Sequence, residues 1–172
     1  LPLRTNAAWS LGYAYQLRGD RSAAKEELKK ALSISKASGN IMMSVATLTN
    51  LGQLYELENQ LGLARDSYKK VLKLICNPPL PYACGALIGL AQISYEQNKL
   101  KAAERYNLQS LQLAQQLENL DTPILCHLLF ARLSVSGGDL PGAGEAIRSA
   151  EQYAMQNEIS HRFPDIADAK AK

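Results

Sequence analysis

The sequence predicts an all-α fold in which antiparallel pairs of helices stack side by side. The first observation behind this prediction is a repeat, in which a small residue recurs at intervals of 40, 39 and 40 positions. The second is the form of each copy, two stretches of helical periodicity separated by a few turn-forming residues. Because one pair cannot bury its apolar stripes alone, we expect successive copies to pack against each other.

The repeat is defined by four sets of positions that keep nearly the same spacing in every copy. A small residue on the first helix is followed by an alanine on the second helix, then by a side chain that is large in three copies, then by a small or β-branched residue. This pattern predicts close packing, because the small residue lets the second helix approach and the large one fills the next gap. The sets are Gly12, Gly52, Ala91 and Ala131; Ala24, Ala64, Ala103 and Ala143; Leu28, Tyr68, Asn107 and Ile147; and Ala31, Val71, Ser110 and Ala150.

The first two copies resemble the tetratricopeptide repeat. Each has a Leu-Gly pair, Leu11-Gly12 and Leu51-Gly52, followed three residues later by Tyr15 or Tyr55. The resemblance covers nearly the whole chain and implies a right-handed superhelix of antiparallel helix pairs, an α-solenoid, with about four repeats and part of a fifth. The period of about 40 residues exceeds the usual value of about 34, which implies helices longer by roughly a turn or two.

Turn-forming residues between the apolar stretches set the helix boundaries. Asp20 or Ser22 can cap the second helix of the first pair, and Gly39 ends it, because glycine readily adopts the left-handed conformation of a helix end. Glu26 and Lys30, four residues apart, predict an ion pair on the solvent side. Helices are predicted over residues 4–17, 21–37, 41–57, 61–76, 100–117, 122–136 and 140–157, and in the third pair a proline-containing turn leads into a helix that ends near Gln97. Repeats are predicted over about 4–39, 41–77, 80–118 and 122–157.

Prolines mark the beginning of both helices in the fourth pair. Pro123 and Pro141 stand where a first helical turn tolerates a missing N–H, behind Asp121 and Asp139 as expected caps. A further short helix over residues 165–170 is expected to open a partial fifth repeat, at about 160–172. We therefore expect residues 1–172 to form a single repeat domain that is a fragment of a longer protein.

Composition and charge favour a globular domain that neither spans a membrane nor binds nucleic acid through a basic stripe. With 47% apolar and 20% charged residues the chain is globular, and its net charge of +3 is mild. Lysines on the second helices alternate with acidic residues, which favours a solvated outer face over a nucleic-acid-binding stripe. The uncharged run over residues 74–95 is broken by Asn77-Pro78-Pro79 and Pro81, so it cannot form a bilayer-spanning helix.

The sequence offers no catalytic or metal-binding constellation. Cys76, Cys84 and Cys126 lack the spacing of metal ligands and are expected as buried thiols in a reducing cytoplasm. His127 lies on a mostly apolar helix, where a core or groove histidine is commoner than a catalytic one, and His161 lies in a connection. We expect this chain not to be an enzyme and to bind neither metal nor cofactor.

The inner faces of the first helices are the candidate binding surface. Rings on such a surface provide flat contact area and amides provide orientation, so the set suits a neutral polar or amphipathic ligand. For Trp9 and Tyr95 the alternative, an aromatic side chain packed between helices, stays open. The candidates are Trp9, Tyr13, Gln16, Thr49, Asn50, Gln53, Ile88, Gln92, Tyr95 and Arg132, with Asn6, Glu56 and Leu128 beside them.

The third pair carries a more specific resemblance. Its pattern is Pro81, Gly85-Ala86, Gly89-Leu90-Ala91, Tyr95-Glu96, Asn98, Leu100, Ala102-Ala103 and Leu111-Gln112-Leu113-Ala114. It resembles the helical-repeat region of the MalT-like, ATP-dependent LuxR-type transcriptional regulators. One departure is Tyr106-Asn107, where that family pattern has a histidine.

The resemblance implies an inducer-sensing and protein-interaction domain of a bacterial transcriptional activator. In such regulators the repeat region binds a small-molecule inducer or a regulatory protein and controls the flanking domains of the same chain. ATP would then bind only a missing N-terminal domain, and DNA only a missing C-terminal helix-turn-helix. The alternative is a generic tetratricopeptide scaffold or adaptor that binds a peptide segment of a partner protein.

Overall fold

The protein is described by a computed structural model that covers residues 2–75, 81–116 and 121–171, with side chains from residue 5 onward. The described residues form nine α-helices and two short 3-10 turns, without a β-strand among them. They divide into two compact units, Leu1–Leu80 and Pro81–Lys172, called unit 1 and unit 2 below. Within the described ranges, every helix is too short or too polar to span a bilayer.

Unit 1 contains two antiparallel helix pairs. The first pair is α1 with α2 and the second is α3 with α4, and α2 packs against α3 to join them. A core cluster of Ala24, Leu28, Leu51 and Leu54 lies between the pairs, with Trp9 and Tyr15 packed against it. The helices are α1 (Pro2–Leu17), α2 (Arg21–Ala37), α3 (Ile41–Leu57) and α4 (Leu61–Leu74).

Unit 2 contains two further pairs and one additional helix. The pairs are α5 with α6 and α7 with α8; α6 packs against α7, and α9 packs against α8 and α7. The helices are α5 (Cys84–Glu96), α6 (Leu100–Ala114), α7 (Asp121–Ser136), α8 (Leu140–Gln156) and α9 (Phe163–Ala171), with 3-10 turns at Pro81–Ala83 and Ser160–Arg162.

The predicted helix boundaries agree with the structure to within a few residues. In the third pair the predicted turn is a 3-10 turn at Pro81–Ala83, and the helix that follows begins at Cys84 and ends at Glu96. The predicted thiol Cys76, the Asn77-Pro78-Pro79 turn and the end of the sixth predicted helix at Leu117 lie outside the described residues. The single-domain organisation stays a prediction.

Each turn within a pair places one residue in the left-handed conformation. These residues are Gly19 (φ 81°), Asn59 (φ 57°), Asn98 (φ 56°) and Gly138 (φ 78°). Glycine and asparagine tolerate positive φ better than other residues, which explains why the turns keep these two types. Gly39, at φ 66°, lies just beyond α2 as predicted.

Side-chain caps begin several of the helices. The Asp20 side chain accepts a hydrogen bond from Ala23 N at 3.1 Å, which decides between the two candidates for the cap of α2. Asp139 caps α8 as predicted, through Gly142 N at 2.9 Å. The expectation for Asp121 was wrong: it is the first residue of α7, and its carboxylate binds His161 and Arg162 instead.

The residues in the four sets of repeat positions are buried in the structure, with one exception. The alanines of the second set are between 0% and 5% exposed, and the last set, Ala31, Val71, Ser110 and Ala150, is fully buried. Asn107, the polar member of the third set, is also fully buried and donates from Nδ2 to Cys126 O at 2.9 Å. Ile147 is the exception, since it is only partly buried.

Gly52 shows why a small residue is required on the first helix. A methyl group at this position would stand 2.6 Å from Cζ of the Tyr68 ring. That ring cannot move aside easily, because Tyr68 is fully buried and its hydroxyl donates to Glu56 Oε2 at 2.8 Å. The distance between α3 and α4 therefore depends on glycine at position 52.

We expect Gly52→Ala to lower the free energy of unfolding by about 1 kcal/mol. Overpacking a core costs about 1–3 kcal/mol, and alanine recovers up to about 1 kcal/mol through its helix propensity. Gly62→Ala in α4 is the matched control, because nothing lies within 4 Å of a methyl group there, and it should leave stability unchanged or slightly raised. Urea unfolding of both variants measures the difference, and equal stabilities would contradict the packing argument.

Candidate ligand site

In unit 1 two of the candidate aromatic residues stack on each other. The Trp9 and Tyr13 rings lie 5.7 Å apart with an interplanar angle of 1°. Trp9 is partly buried and packs against the unit 1 core cluster, whereas Tyr13 is 44% exposed. The alternative left open for Trp9 is therefore the one observed, a side chain packed between helices, and Tyr13 is the accessible ring of the two.

The polar candidates of unit 1 differ in their accessibility. Gln53 is exposed, and the Thr49 hydroxyl donates within its own helix to Val45 O at 2.9 Å. Gln16 Oε1 and Asn50 Nδ2 are buried and make no hydrogen bond to any residue that the structure describes. Buried polar atoms usually have a partner, so these two residues stay predicted ligand contacts.

A partly buried acid, Glu56, lies on α3. Burial raises the pKa of Glu56 to about 7, and the hydrogen bond from Tyr68 lowers it only in part. The pKa of the Tyr68 hydroxyl is raised as well, by burial and by the charge of Glu56. The pair therefore changes charge near neutral pH through the carboxyl group of Glu56.

The raised pKa of Glu56 makes the stability of unit 1 depend on pH. The folded state holds the proton more tightly than the unfolded chain, so this contribution is complete below the ordinary pKa and is lost as pH rises through about 7. The free energy of unfolding of the wild-type protein should fall by up to about 3 kcal/mol between about pH 5 and pH 8, and Glu56→Gln should remove this fall. Thermal unfolding across this range measures it.

Glu26→Gln is the control for this measurement, because Glu26 is a solvent-exposed carboxylate with an ion pair to Lys30 at 3.0 Å, as the sequence predicted. The control should keep the pH dependence of the wild-type protein. A Glu56→Gln variant whose stability depended on pH in the same way as that of the wild type would contradict the raised pKa of Glu56.

Unit 2 contains a cavity of about 540 Å³, called the unit 2 cavity below. Three predicted ligand residues, Gln92, Tyr95 and Arg132, lie in its wall. A volume of this size is within the range of small-molecule sites. The other lining residues come from α7, α8 and α9 and are Leu125, Leu128, Leu129, Ala131, Val135, Ile147, Asp165, Asp168 and Ala169.

Contacts within the cavity wall hold Arg132 in place. Its guanidinium lies 2.6 Å from Glu96 Oε1 and 4.2 Å from the centroid of the Tyr95 ring. The Tyr95 hydroxyl lies 3.1 Å from Ser136 Oγ, which in turn donates to Arg132 O at 2.9 Å. Tyr95 also packs against a core cluster, so it serves the core and the cavity wall at once.

Ile88 lies elsewhere than we expected. It is 5% exposed and belongs to the core cluster of unit 2, together with Ala91, Cys126 and Leu129. Its placement on an accessible wall was therefore wrong. The physical reason is that α7 packs against α5 at this level and covers the side chain.

Sequence reasoning missed the contribution of α9 to the cavity. Asp165, Asp168 and Ala169 all lie in its wall, although α9 was interpreted only as the opening of a fifth repeat. Their spacing of three and four residues places them on one face of a helix. That spacing was the available signal, but it does not reveal which helix the face meets.

Ion pairs and a small core cluster attach α9 to the rest of unit 2. Asp121 Oδ1 lies 2.8 Å from His161 Nε2 and 3.0 Å from Arg162 Nε, and Arg162 also reaches Asp165 at 3.1 Å. Partial burial opposes ionisation of Asp121, but the contacts with Arg162 and His161 outweigh it, so its pKa lies below the ordinary value. Ile166 is 2% exposed and completes the anchoring.

We expect Asp121→Asn to loosen α9. The lowered pKa of Asp121 means that its contribution is present above the ordinary carboxyl pKa and is lost as pH falls through the folded value. Protection of the α9 amides, which is the intrinsic exchange rate divided by the observed rate at the same pH, should therefore fall several-fold in the variant, and in the wild type at acid pH. Glu104→Gln, at an exposed position of α6, is the control. Unchanged protection of the α9 amides in Asp121→Asn would contradict the anchoring role of Asp121.

The remaining buried polar residues of unit 2 are structural. Cys84 and Cys126 are buried thiols, as predicted, and burial raises the pKa of Cys126 to about 12. Ser110 donates to Cys84 O at 2.8 Å. His127 is partly buried, and this burial lowers its pKa. These contacts join α5, α6 and α7 and lie outside the lining of the cavity.

The helix pairs and the repeat positions define a helical-repeat protein of the tetratricopeptide class. The chain belongs to the family of MalT-like tetratricopeptide regions, whose model matches residues 1–171. This match confirms the predicted family and the predicted all-α fold class.

A solved structure with a similar fold is the crystal structure of BtubC (BKLC) from P. vanneervenii, with a TM-score of 0.71 and 17% sequence identity. The similarity covers 88% of this chain and 63% of that one, so the chain spans less than two thirds of BtubC. At this identity the likeness shows the fold alone. None of the curated proteins matches the chain.

Proposed function

We propose that this chain is the inducer-sensing and interaction domain of a bacterial transcriptional activator. Membership of the MalT-like family supports the class of domain, and the unit 2 cavity supports a small ligand as the signal. In this proposal the ATP-binding and DNA-binding domains lie outside the sequence, and the domain itself performs no catalysis.

The observation that carries the proposal is the convergence of four helices on one cavity. Gln92 and Tyr95 come from α5, Arg132 from α7, Ile147 from α8 and Asp168 from α9. A ligand that contacts all of these walls binds best when the helices are close together. Such a ligand would shift the equilibrium between arrangements in proportion to its difference in affinity for them, and flanking domains could respond to that shift.

The charged groups of the cavity are arranged for binding. Arg132 is paired with Glu96 and Asp165 with Arg162, so each already has a partner of opposite charge. Each ion pair restrains the position of its side chains, so less ordering is needed when a ligand contacts them. The apolar side chains between them provide contact area for a ligand body.

The complete reading frame tests the class of the whole protein. We expect a nucleotide-binding domain before this region and a helix-turn-helix after it. A reading frame that encoded only further helix pairs would contradict the transcriptional role and would favour the tetratricopeptide scaffold that binds a peptide segment.

Filling the cavity tests the binding site itself. Val135 lies in the wall and is 51% exposed, so Val135→Trp should occupy the cavity without disturbing the core. The probe is phenylbutanol, a neutral amphipathic molecule, and binding is followed by the shifts of the Gln92, Ala131 and Ala169 amide signals in NMR spectra. We expect the variant to weaken binding by at least about tenfold, because the indole removes the space for the ring.

Met155→Trp is the matched control for this experiment. Met155 lies on α8 and is 59% exposed, and it is not among the residues that line the cavity. It adds the same indole group to the surface of unit 2 and should leave binding unchanged. Equal binding by wild type and Val135→Trp would exclude the unit 2 cavity as the site.

A further inference from the structure

The unit 2 cavity has two chemically different sides. Helices α7, α8 and α9 contribute seven aliphatic side chains to its lining, whereas α5 contributes Gln92 and Tyr95. A ligand must therefore offer an apolar body to the first side, since burying unpaired polar groups there would cost free energy. The aliphatic residues are Leu125, Leu128, Leu129, Ala131, Val135, Ile147 and Ala169.

The charged groups in the lining already have partners. The Arg132 guanidinium contacts Glu96 Oε1 at 2.6 Å, and the Asp165 carboxylate contacts Arg162 at 3.1 Å. Asp168 has a partner as well. A charged ligand would have to share or displace one of these partners, and a charge left unpaired in a partly enclosed site is costly. The lining therefore disfavours cationic and anionic ligands alike.

The hydroxyl group of Tyr95 is also engaged. It lies 3.1 Å from Ser136 Oγ, and Ser136 uses its own proton to donate to Arg132 O at 2.9 Å. The Tyr95 hydroxyl is therefore the donor in its contact with Ser136. It has no second proton to donate to a ligand.

Gln92 is the polar group of the lining that is left for a ligand. It lies on α5, one turn before Tyr95, and is partly buried. Its side-chain amide makes no hydrogen bond to any residue that the structure describes. The amide offers an acceptor, Oε1, and a donor, Nε2, and carries no charge. These two atoms match a ligand group that both donates and accepts, such as a hydroxyl group or an amide.

We propose that the unit 2 cavity takes an uncharged amphipathic molecule whose polar group, a hydroxyl or an amide, forms hydrogen bonds with Gln92. The apolar body of the molecule lies against α7, α8 and α9. This inference rests on the proposed function, which assigns a small ligand to the cavity. It adds the class of that ligand and the residue that selects it.

Three probes that share one apolar body test the ligand class. Phenylbutanol, phenylbutylamine and phenylbutyrate are neutral, positive and negative at neutral pH, and the Ala131 and Ala169 amide signals report their binding. We expect the alcohol to bind at least about threefold more tightly than either ion, because neither ion finds an unpaired countercharge. An ion that bound as tightly as the alcohol would overturn the uncharged class.

Gln92→Met tests whether Gln92 selects the ligand. Methionine has nearly the same length as glutamine but lacks the amide. We expect the affinity for phenylbutanol to fall about two- to tenfold, as for the loss of one hydrogen bond. The affinity for toluene, which has no polar group, should stay the same or rise. Gln152→Met, at an exposed position of α8 outside the lining, is the matched control and should change neither affinity.

The outcomes separate this inference from the proposed function. If Gln92→Met keeps the full affinity for phenylbutanol, or weakens toluene binding to the same extent, Gln92 is not the residue that selects the ligand. Binding of phenylbutanol that Val135→Trp abolishes would still support a small-molecule site in that case. If neither phenylbutanol nor toluene shifts the Ala131 and Ala169 signals of the wild-type protein, both the ligand class and the site are overturned.

Discussion

Close approach of the two helices within a pair is the constraint on which the rest of the structure depends. Gly12 faces Leu28 across the first pair, and Gly52 faces Tyr68 across the second, each at a distance that leaves no room for a methyl group. Because the helices touch at this level, the residue that follows each glycine is turned about 100° away from the contact and faces outward. The positions of Tyr13 and Gln53 on the surface follow from this contact.

The elements of the fold could be predicted because they depend on local chemistry and on the repeat. The buried sets, the turns between helices, the left-handed Gly39 and the cap at Asp139 follow from residue type and spacing, whereas the cap of α2 was narrowed only to Asp20 or Ser22. Asn107 shows the limit of such prediction. An amide at a bulky apolar position is acceptable here because Cys126 O on α7 accepts its hydrogen bond, and a sequence does not show which carbonyl group lies within reach.

The candidate site could be predicted only in part, because a sequence shows which residues share a helix face but not how deeply that face is buried. Gln92, Tyr95 and Arg132 meet at one cavity as the register suggests. Ile88 lies on the same face of α5, but α7 covers it. The aspartates of α9 reach the cavity because Ile166 and the ion pair between Asp121 and Arg162, two residues far apart in sequence, hold that helix in place. Contacts of this kind follow from tertiary packing, which the periodicity of a sequence does not show.

The anchoring of α9 also bears on how a ligand could be sensed. A helix of nine residues is marginal on its own, so its position depends on Ile166 and on the ion pairs around Arg162. Local elements held by few contacts open at lower free energy than the core. In the proposed sensor, a ligand that contacts both α7 and α9 would favour the arrangement in which these helices lie together, in proportion to its difference in affinity. Since the pairs α5–α6 and α7–α8 are fixed by close packing, α9 is the wall of the cavity whose position a ligand can change most easily.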